Sequence, residues 1–148
     1  MLRRLLCATT VLMLGLMGEF SVAERSSTFG KYTVHYNVLT TDLLEPSVAH
    51  SYNISRSRQR ALLNVAVLKR VMGTTGRPVT AKVHATATNL SAQLREIEMR
   101  ELREGGAIYY LGQFSVNNEE TFKFTLQVTP EGETESHRLS FQQQFFTR

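Results

Sequence analysis

The strongest constraint on the fold is a two-residue alternation of apolar and polar side chains, cleanest from Val79 to Asn89. Val79, Ala81, Val83, Ala85 and Ala87 fall on one side, and Thr80, Lys82, His84, Thr86 and Thr88 on the other. Successive side chains of a strand point to opposite faces, so the pattern predicts a strand with one buried face. The inward residues are small, which calls for a closely packed neighbour. The same period appears where Tyr32, Val34, Tyr36 and Val38 alternate with Lys31, Thr33, His35 and Asn37. From Ala61 to Val71 both faces are largely apolar, as in a central strand. No long helical period appears after residue 23.

Turn signals separate these runs. Met72-Gly73-Thr74-Thr75-Gly76-Arg77-Pro78 reads as a turn, as do Glu104-Gly105-Gly106, Asn117-Asn118-Glu119 and Pro130-Glu131-Gly132-Glu133. Between them, Ile108, Tyr110 and Phe114 mark one strand and Phe122, Phe124, Leu126 and Val128 the next. Leu139, Phe141 and Phe145 mark the last. Leu94 to Arg103 mixes charges of both signs, but Ile97 and Met99 alternate with glutamates, so an outer strand is expected there. Pro46 suits the first turn of a short helix running to about Tyr52, inserted after the first strand. About seven antiparallel strands in one domain predict an immunoglobulin-like β-sandwich. A small outer-membrane barrel is the rival. It would need large apolar residues where the 79–89 strand has alanine.

The N-terminus predicts an address. Arg3 and Arg4 precede an apolar run from Leu5 to Met17, and Ser21-Val22-Ala23 follows with small residues at the cleavage positions. Residues 1–23 read as a secretory signal peptide, leaving 24–148 as a single domain. A spanning helix needs about 20 apolar residues, and this run is shorter and closed by Glu19. Cys7 is the only cysteine, so the mature chain forms no disulfide although export permits one. The chain also has no Trp, so the inter-sheet disulfide and buried Trp of antibody domains are both excluded. The leader removes Arg3, Arg4 and Glu19 from a formal net charge of +4, which leaves about +3. Acids stand beside many arginines, the pattern of a solvated mixed surface rather than of a nucleic-acid protein.

Several phrases then line up along the whole mature chain. They are Tyr32-Thr33-Val34-His35-Tyr36-Asn37, Leu44-Glu45-Pro46-Ser47-Val48-Ala49, Ile54-Ser55-Arg56-Ser57 and Arg60-Ala61-Leu62-Leu63-Asn64-Val65. Later come Ala87-Thr88-Asn89-Leu90 and Arg103-Glu104-Gly105-Gly106-Ala107-Ile108-Tyr109-Tyr110. In order and spacing they resemble a bacterial family of exported proteins catalogued as domain of unknown function 4426. The resemblance implies a Gram-negative, periplasmic, single-domain protein. It implies no activity and transfers no site residues.

Candidate chemistry is sparse. None of His35, His50, His84 and His137 stands at ligand spacing from another, but neighbouring strands could bring His35 and His84 together. Met99, and Met72 beside the first turn, could add soft ligands for copper. Solvated strand histidines are the plainer reading. There is no Gly-x-Ser-x-Gly elbow, no HExxH and no phosphate-binding glycine loop. Glu96, Glu98, Glu101 and Glu104 could pair for acid–base work, but Arg95, Arg100 and Arg103 among them suit cross-strand ion pairs better.

Arg56, Arg58 and Arg60 form the densest basic cluster and share one side if the segment is extended. They could bind an acidic partner, lipid headgroups or a carboxylate. Of Tyr109 and Tyr110, an exposed ring beside the glycine pair would be a partner contact. The polar, aromatic last strand could pair with another chain if it lies at a sheet edge. The leading expectation is a periplasmic, non-catalytic interaction module. Its partner is an unknown protein or envelope component, with no nucleic acid, no membrane span after cleavage and no cofactor. The alternative is a small metal- or ligand-binding protein using His35, His84 and Met99 or the arginine cluster. An enzyme is third.

Overall fold

The computed structural model describes residues 25–148, and the expected signal peptide lies outside the described residues. Among the described residues ten strands form two antiparallel sheets. They are β1 (Arg25–Phe29), β2 (Tyr32–Thr40), β3 (Arg60–Lys69), β4 (Arg77–Pro78), β5 (Ala81–Asn89), β6 (Leu94–Ile97), β7 (Arg100–Glu104), β8 (Ala107–Ser115), β9 (Thr121–Pro130) and β10 (His137–Gln144). Among the described residues one α-helix, α1 (Pro46–Ser51), lies between β2 and β3 after a 3-10 turn at Thr41–Leu43, with Pro46 in its first turn as expected. The first sheet runs β1-β2-β3-β8-β7, with β4 beside β3, and the second runs β10-β9-β5-β6. No helix among the described residues is long and apolar enough to cross a membrane.

The core lies between the sheets and follows the alternation. Val34 and Val38 of β2, Leu63, Val65 and Val67 of β3, and Ala85 and Ala87 of β5 are buried in it with Phe122, Phe124, Leu126 and Val128 of β9. Phe114 packs edge-on against Phe122, Phe124 and Phe145, with centroids 5.9, 5.5 and 6.0 Å away. Each such ring buried contributes about 1.5–3 kcal/mol. A second cluster explains why β3 is apolar on both faces. Leu62 and Leu111 on the outer side of the first sheet are covered by Ala49 of α1 and by Ile54.

Three strands were not expected: β1, β4, whose Arg77 and Pro78 were read as the end of a turn but pair with Lys69 and Leu68 of β3, and one more from the division of Leu94–Arg103. Arg25–Phe29 carries only one large apolar side chain, Phe29, and is held as an edge strand by pairing with β2 from Arg25↔Tyr36 to Phe29↔Tyr32. The stretch from Leu94 to Arg103 is two strands in different sheets rather than one outer strand. β6 pairs with β5, and β7 pairs with β8. The chain changes sheets at Glu98 and Met99 and so closes one side of the sandwich. Gly112 makes the crossing possible: a Cβ there would collide with Ile97 and lie 2.5 Å from Met99 Sδ and 3.1 Å from the Glu98 carbonyl. The other side is closed by side chains. Phe141 of β10 stands 4.7 Å from Tyr36, and Gln143 Nε2 donates to the Val38 carbonyl at 3.0 Å.

Candidate functional site

Two of the three clustered arginines are tied to Asp42, Arg56 at the backbone carbonyl and Arg58 at the carboxylate. Thr41, fully buried after β2, organises the segment: its hydroxyl lies 2.8 and 3.1 Å from the carbonyls of Ser55 and Ser57 and accepts from Ser57 N–H at 2.9 Å. This draws Asp42 to the arginines. Arg56 Nη2 donates to the Asp42 carbonyl at 2.6 Å, and Arg58 Nε stands 3.7 Å from Asp42 Oδ2. Arg60 opens β3 half-buried, with Nε enclosed and without a hydrogen-bond partner. Residues 58–59 form a turn, so the three side chains do not share one extended edge.

The tyrosines point opposite ways. Tyr110 is buried in the main core, so its ring is not offered to a partner. Its hydroxyl accepts from Ala81 N–H at 2.8 Å and donates to Glu101 Oε2 at 3.3 Å. Burial is the main cause of its raised pKa, with the Glu101 carboxylate adding to it. Tyr109 packs half-buried against the cluster under α1.

The proposed metal ligands are not brought together. His35 lies on the outer side of β2 in the first sheet, and His84 on β5 in the second, where Nδ1 is 3.4 Å from Glu96 Oε1. Met99 lies in the crossover against Gly112. Among the described residues no three His, Cys, Asp or Glu side chains gather in a metal-binding group. β10 is an edge strand of the second sheet, as its pairing with β9 alone shows.

The side chains that do converge lie at one end of the sandwich. There the β1–β2 turn, the long β3–β4 loop and the β9–β10 turn meet around open clefts of about 520 and 620 Å³. Thr74 shapes the β3–β4 loop: its hydroxyl donates to the Val71 carbonyl at 2.9 Å and accepts from Gly76 N–H at 3.1 Å. Gly76 has φ +106°, a conformation that other residues rarely adopt. The turn carries Val71 and Met72 outward, 45% and 99% exposed. At its base Lys69 of β3 and Arg77 of β4 are direct cross-strand partners. Like charges so placed oppose pairing unless a counter-charge is near. Arg70 N–H is fixed to the Lys31 carbonyl at 2.7 Å. Among the described residues no carboxylate stands within ion-pair distance of Lys69, Arg70 or Arg77.

The neighbouring cleft is internally balanced. Glu133 Oε1 accepts from Tyr32 Oη at 2.8 Å and lies 3.0 Å from Lys31 Nζ. The Lys31 hydrogen bond, then the Tyr32 hydroxyl, hold the Glu133 carboxyl below its ordinary range. The same bond to Glu133 raises both Lys31 and Tyr32. His137 stacks on Phe29 at 3.9 Å and lies 3.3 Å from Ser27 Oγ. Arg103 is likewise occupied, 2.6 Å from Glu101.

The loop cations, which form no ion pair among the described residues though Arg70 Nη1 donates to the Gly30 carbonyl at 3.5 Å, had a visible signal. Residues 46–95 contain eight Lys and Arg and no Asp or Glu. The mixed-surface expectation, drawn from the whole chain, averages over this segregation.

The family model for Domain of unknown function DUF4426 matches residues 26–148. The chain belongs to the DUF4426 family. It superposes on a DUF4426 family protein, PA0388 of Pseudomonas aeruginosa, with TM-score 0.74 and 34% identity, over 88% of this chain and 99% of that one. It shares a fold with FetP of uropathogenic Escherichia coli, expressed recombinantly in the E. coli periplasm, at TM-score 0.59 and 11% identity over 85% and 95% of the two chains. A copper-bound FetP variant gives TM-score 0.57 and 10% identity over 84% and 95%. No curated protein matches the DUF4426 chain.

Proposed function

We propose that this DUF4426 protein is a periplasmic, non-catalytic interaction module that contacts an envelope component through the loop end of its sandwich. The observation that carries the reading is the β3–β4 loop, where exposed Val71 and Met72 are framed by Lys69, Arg70 and Arg77, none of them in an ion pair among the described residues. Exposed apolar groups rimmed by polar ones mark contact surfaces. The periplasmic address rests on the leader read at residues 1–23. A photo-crosslinking residue at position 72, with controls at Gln127 on a sheet face and Leu90 at the other end, tests the reading in exporting cells. Adducts specific to position 72 support it. Equal adducts at all three positions, or none at 72, refute it.

A second reading, metal binding, is favoured by the copper-bound FetP neighbour. Its difficulty is the placement of His35 and His84 on different sheets. Copper titration followed by histidine NMR tests it: a site-specific shift at micromolar metal supports it, and no shift refutes it.

A further inference from the structure

We propose that the β3–β4 loop docks the domain on an anionic phospholipid surface, with Met72 and Val71 entering the headgroup boundary and Lys69, Arg70 and Arg77 meeting lipid phosphates. This rests on the reading of the loop end as the contact surface and names what that surface touches.

The arrangement has the order a bilayer requires. The apolar side chains are at the tip, and the cations stand one to a few residues behind them on both legs of the loop. A shallowly inserted element places its apolar groups among acyl chains and its cations level with the phosphates. The tip is shaped in advance by Thr74 and Gly76, so docking orders little new backbone. Lys69 and Arg77, opposed across the β3–β4 pair with Glu133 near Lys69 but no carboxylate among the described residues in ion-pair contact with either, gain closer counter-charge from lipid phosphates. Soluble phosphate could neutralise the cations but leaves Met72, 99% exposed, in water. The opposite end also exposes Leu90 and Leu94, 82% and 67%, but three of its arginines are engaged by the fold. Arg95 Nη1 donates to the Ser115 carbonyl at 2.9 Å, and Arg56 and Arg58 reach Asp42.

The test is flotation of the domain of residues 25–148, whose two cores lie wholly within it, with vesicles of phosphatidylglycerol and phosphatidylcholine. Binding should appear with phosphatidylglycerol, weaken with salt and vanish on pure phosphatidylcholine. Replacing Lys69, Arg70 and Arg77 with Gln should lower partitioning about 100-fold, at about fivefold per cation. Met72→Ser should lower it about tenfold. Met72, Arg70 and Arg77 are exposed and Lys69 is half-buried at the end of β3, and circular dichroism should match the parent. Equal binding by the parent and the triple variant, or binding indifferent to lipid charge, overturns the proposal. So does full competition by glycerol phosphate, which would make the site one for small anions. Vesicles that stay bare while position 72 crosslinks to a protein overturn the lipid assignment and leave the contact surface standing. Failure of both removes both.

Discussion

Arg56, Arg58 and Arg60 lead into β3 at one end of the sandwich, and Lys69, Arg70 and Arg77 lie around its exit at the other. The two groups carry equal formal charge. At the entrance, Thr41 folds the chain so that Asp42 receives Arg56 and Arg58. At the exit, the register of β3 with β4 sets Lys69 against Arg77, and the loop lifts Met72 clear of the protein. Arg56 and Arg58 of the first group hold a crossing segment, while the second group, with only a long bond from Arg70 to the Gly30 carbonyl, is left open to a partner. A cation's availability depends on what the fold places beside it, not on the density of cations along the chain.

The comparison can be broken most forcefully at the exit. The triple Gln variant at Lys69, Arg70 and Arg77 should lose vesicle binding about 100-fold while urea stability stays within about 0.5 kcal/mol of the parent. A large stability loss would make these residues structural and erase the distinction. The converse holds at the entrance. Thr41→Val strands a buried N–H and two carbonyls and should cost about 1–3 kcal/mol in urea denaturation, with the vesicle affinity of the exit loop unchanged. Asp42→Asn is milder. The Arg58 pair is long and its arginine is exposed, so stability should move by less than about 0.5 kcal/mol. Arg58, freed while Arg56 keeps its bond to the backbone carbonyl, should add a weak, salt-sensitive affinity for anionic vesicles at low ionic strength, read as a shallow rise in flotation.

The smallest effect lies in pH. Glu133 is depressed below its ordinary carboxylate value by Lys31 and Tyr32, so its stabilising contribution is complete above about pH 4.5 and is lost as pH falls below that. Glu133→Gln should flatten the acid limb of a stability-against-pH curve. It should also release Lys31 and raise vesicle binding slightly. An unchanged acid limb would show that the Lys31–Glu133–Tyr32 contact contributes nothing in solution.

The strands with a buried face were legible because period two survives in the sequence whatever the strands pair with. The paired apolar faces of β3 likewise announced a central strand, though not that its second face is covered by α1. β1 was hidden because Arg25-Ser26-Ser27-Thr28 has no apolar alternation and owes its conformation to β2. The sheet change at Glu98 and Met99 was hidden for the opposite reason: Ile97 and Met99 keep one phase across a break that depends on Gly112 of another strand. The exit loop was legible as a turn but not as a surface. The facing of Lys69 and Arg77 is a property of register, and the occupation of Arg56 and Arg58 depends on the fold around Thr41. The acid-free span from residue 46 to 95 was the one local hint.

The most direct test of the exit loop as contact surface uses the absence of tryptophan from the chain. Met72→Trp and Leu90→Trp each place one fluorophore at an exposed tip, at opposite ends of the sandwich. On phosphatidylglycerol vesicles the emission of Trp at position 72 should shift to the blue and resist aqueous quencher, while Trp at position 90 stays as in buffer. A shift at 90 alone, equal shifts at both, or none at 72 would contradict the account.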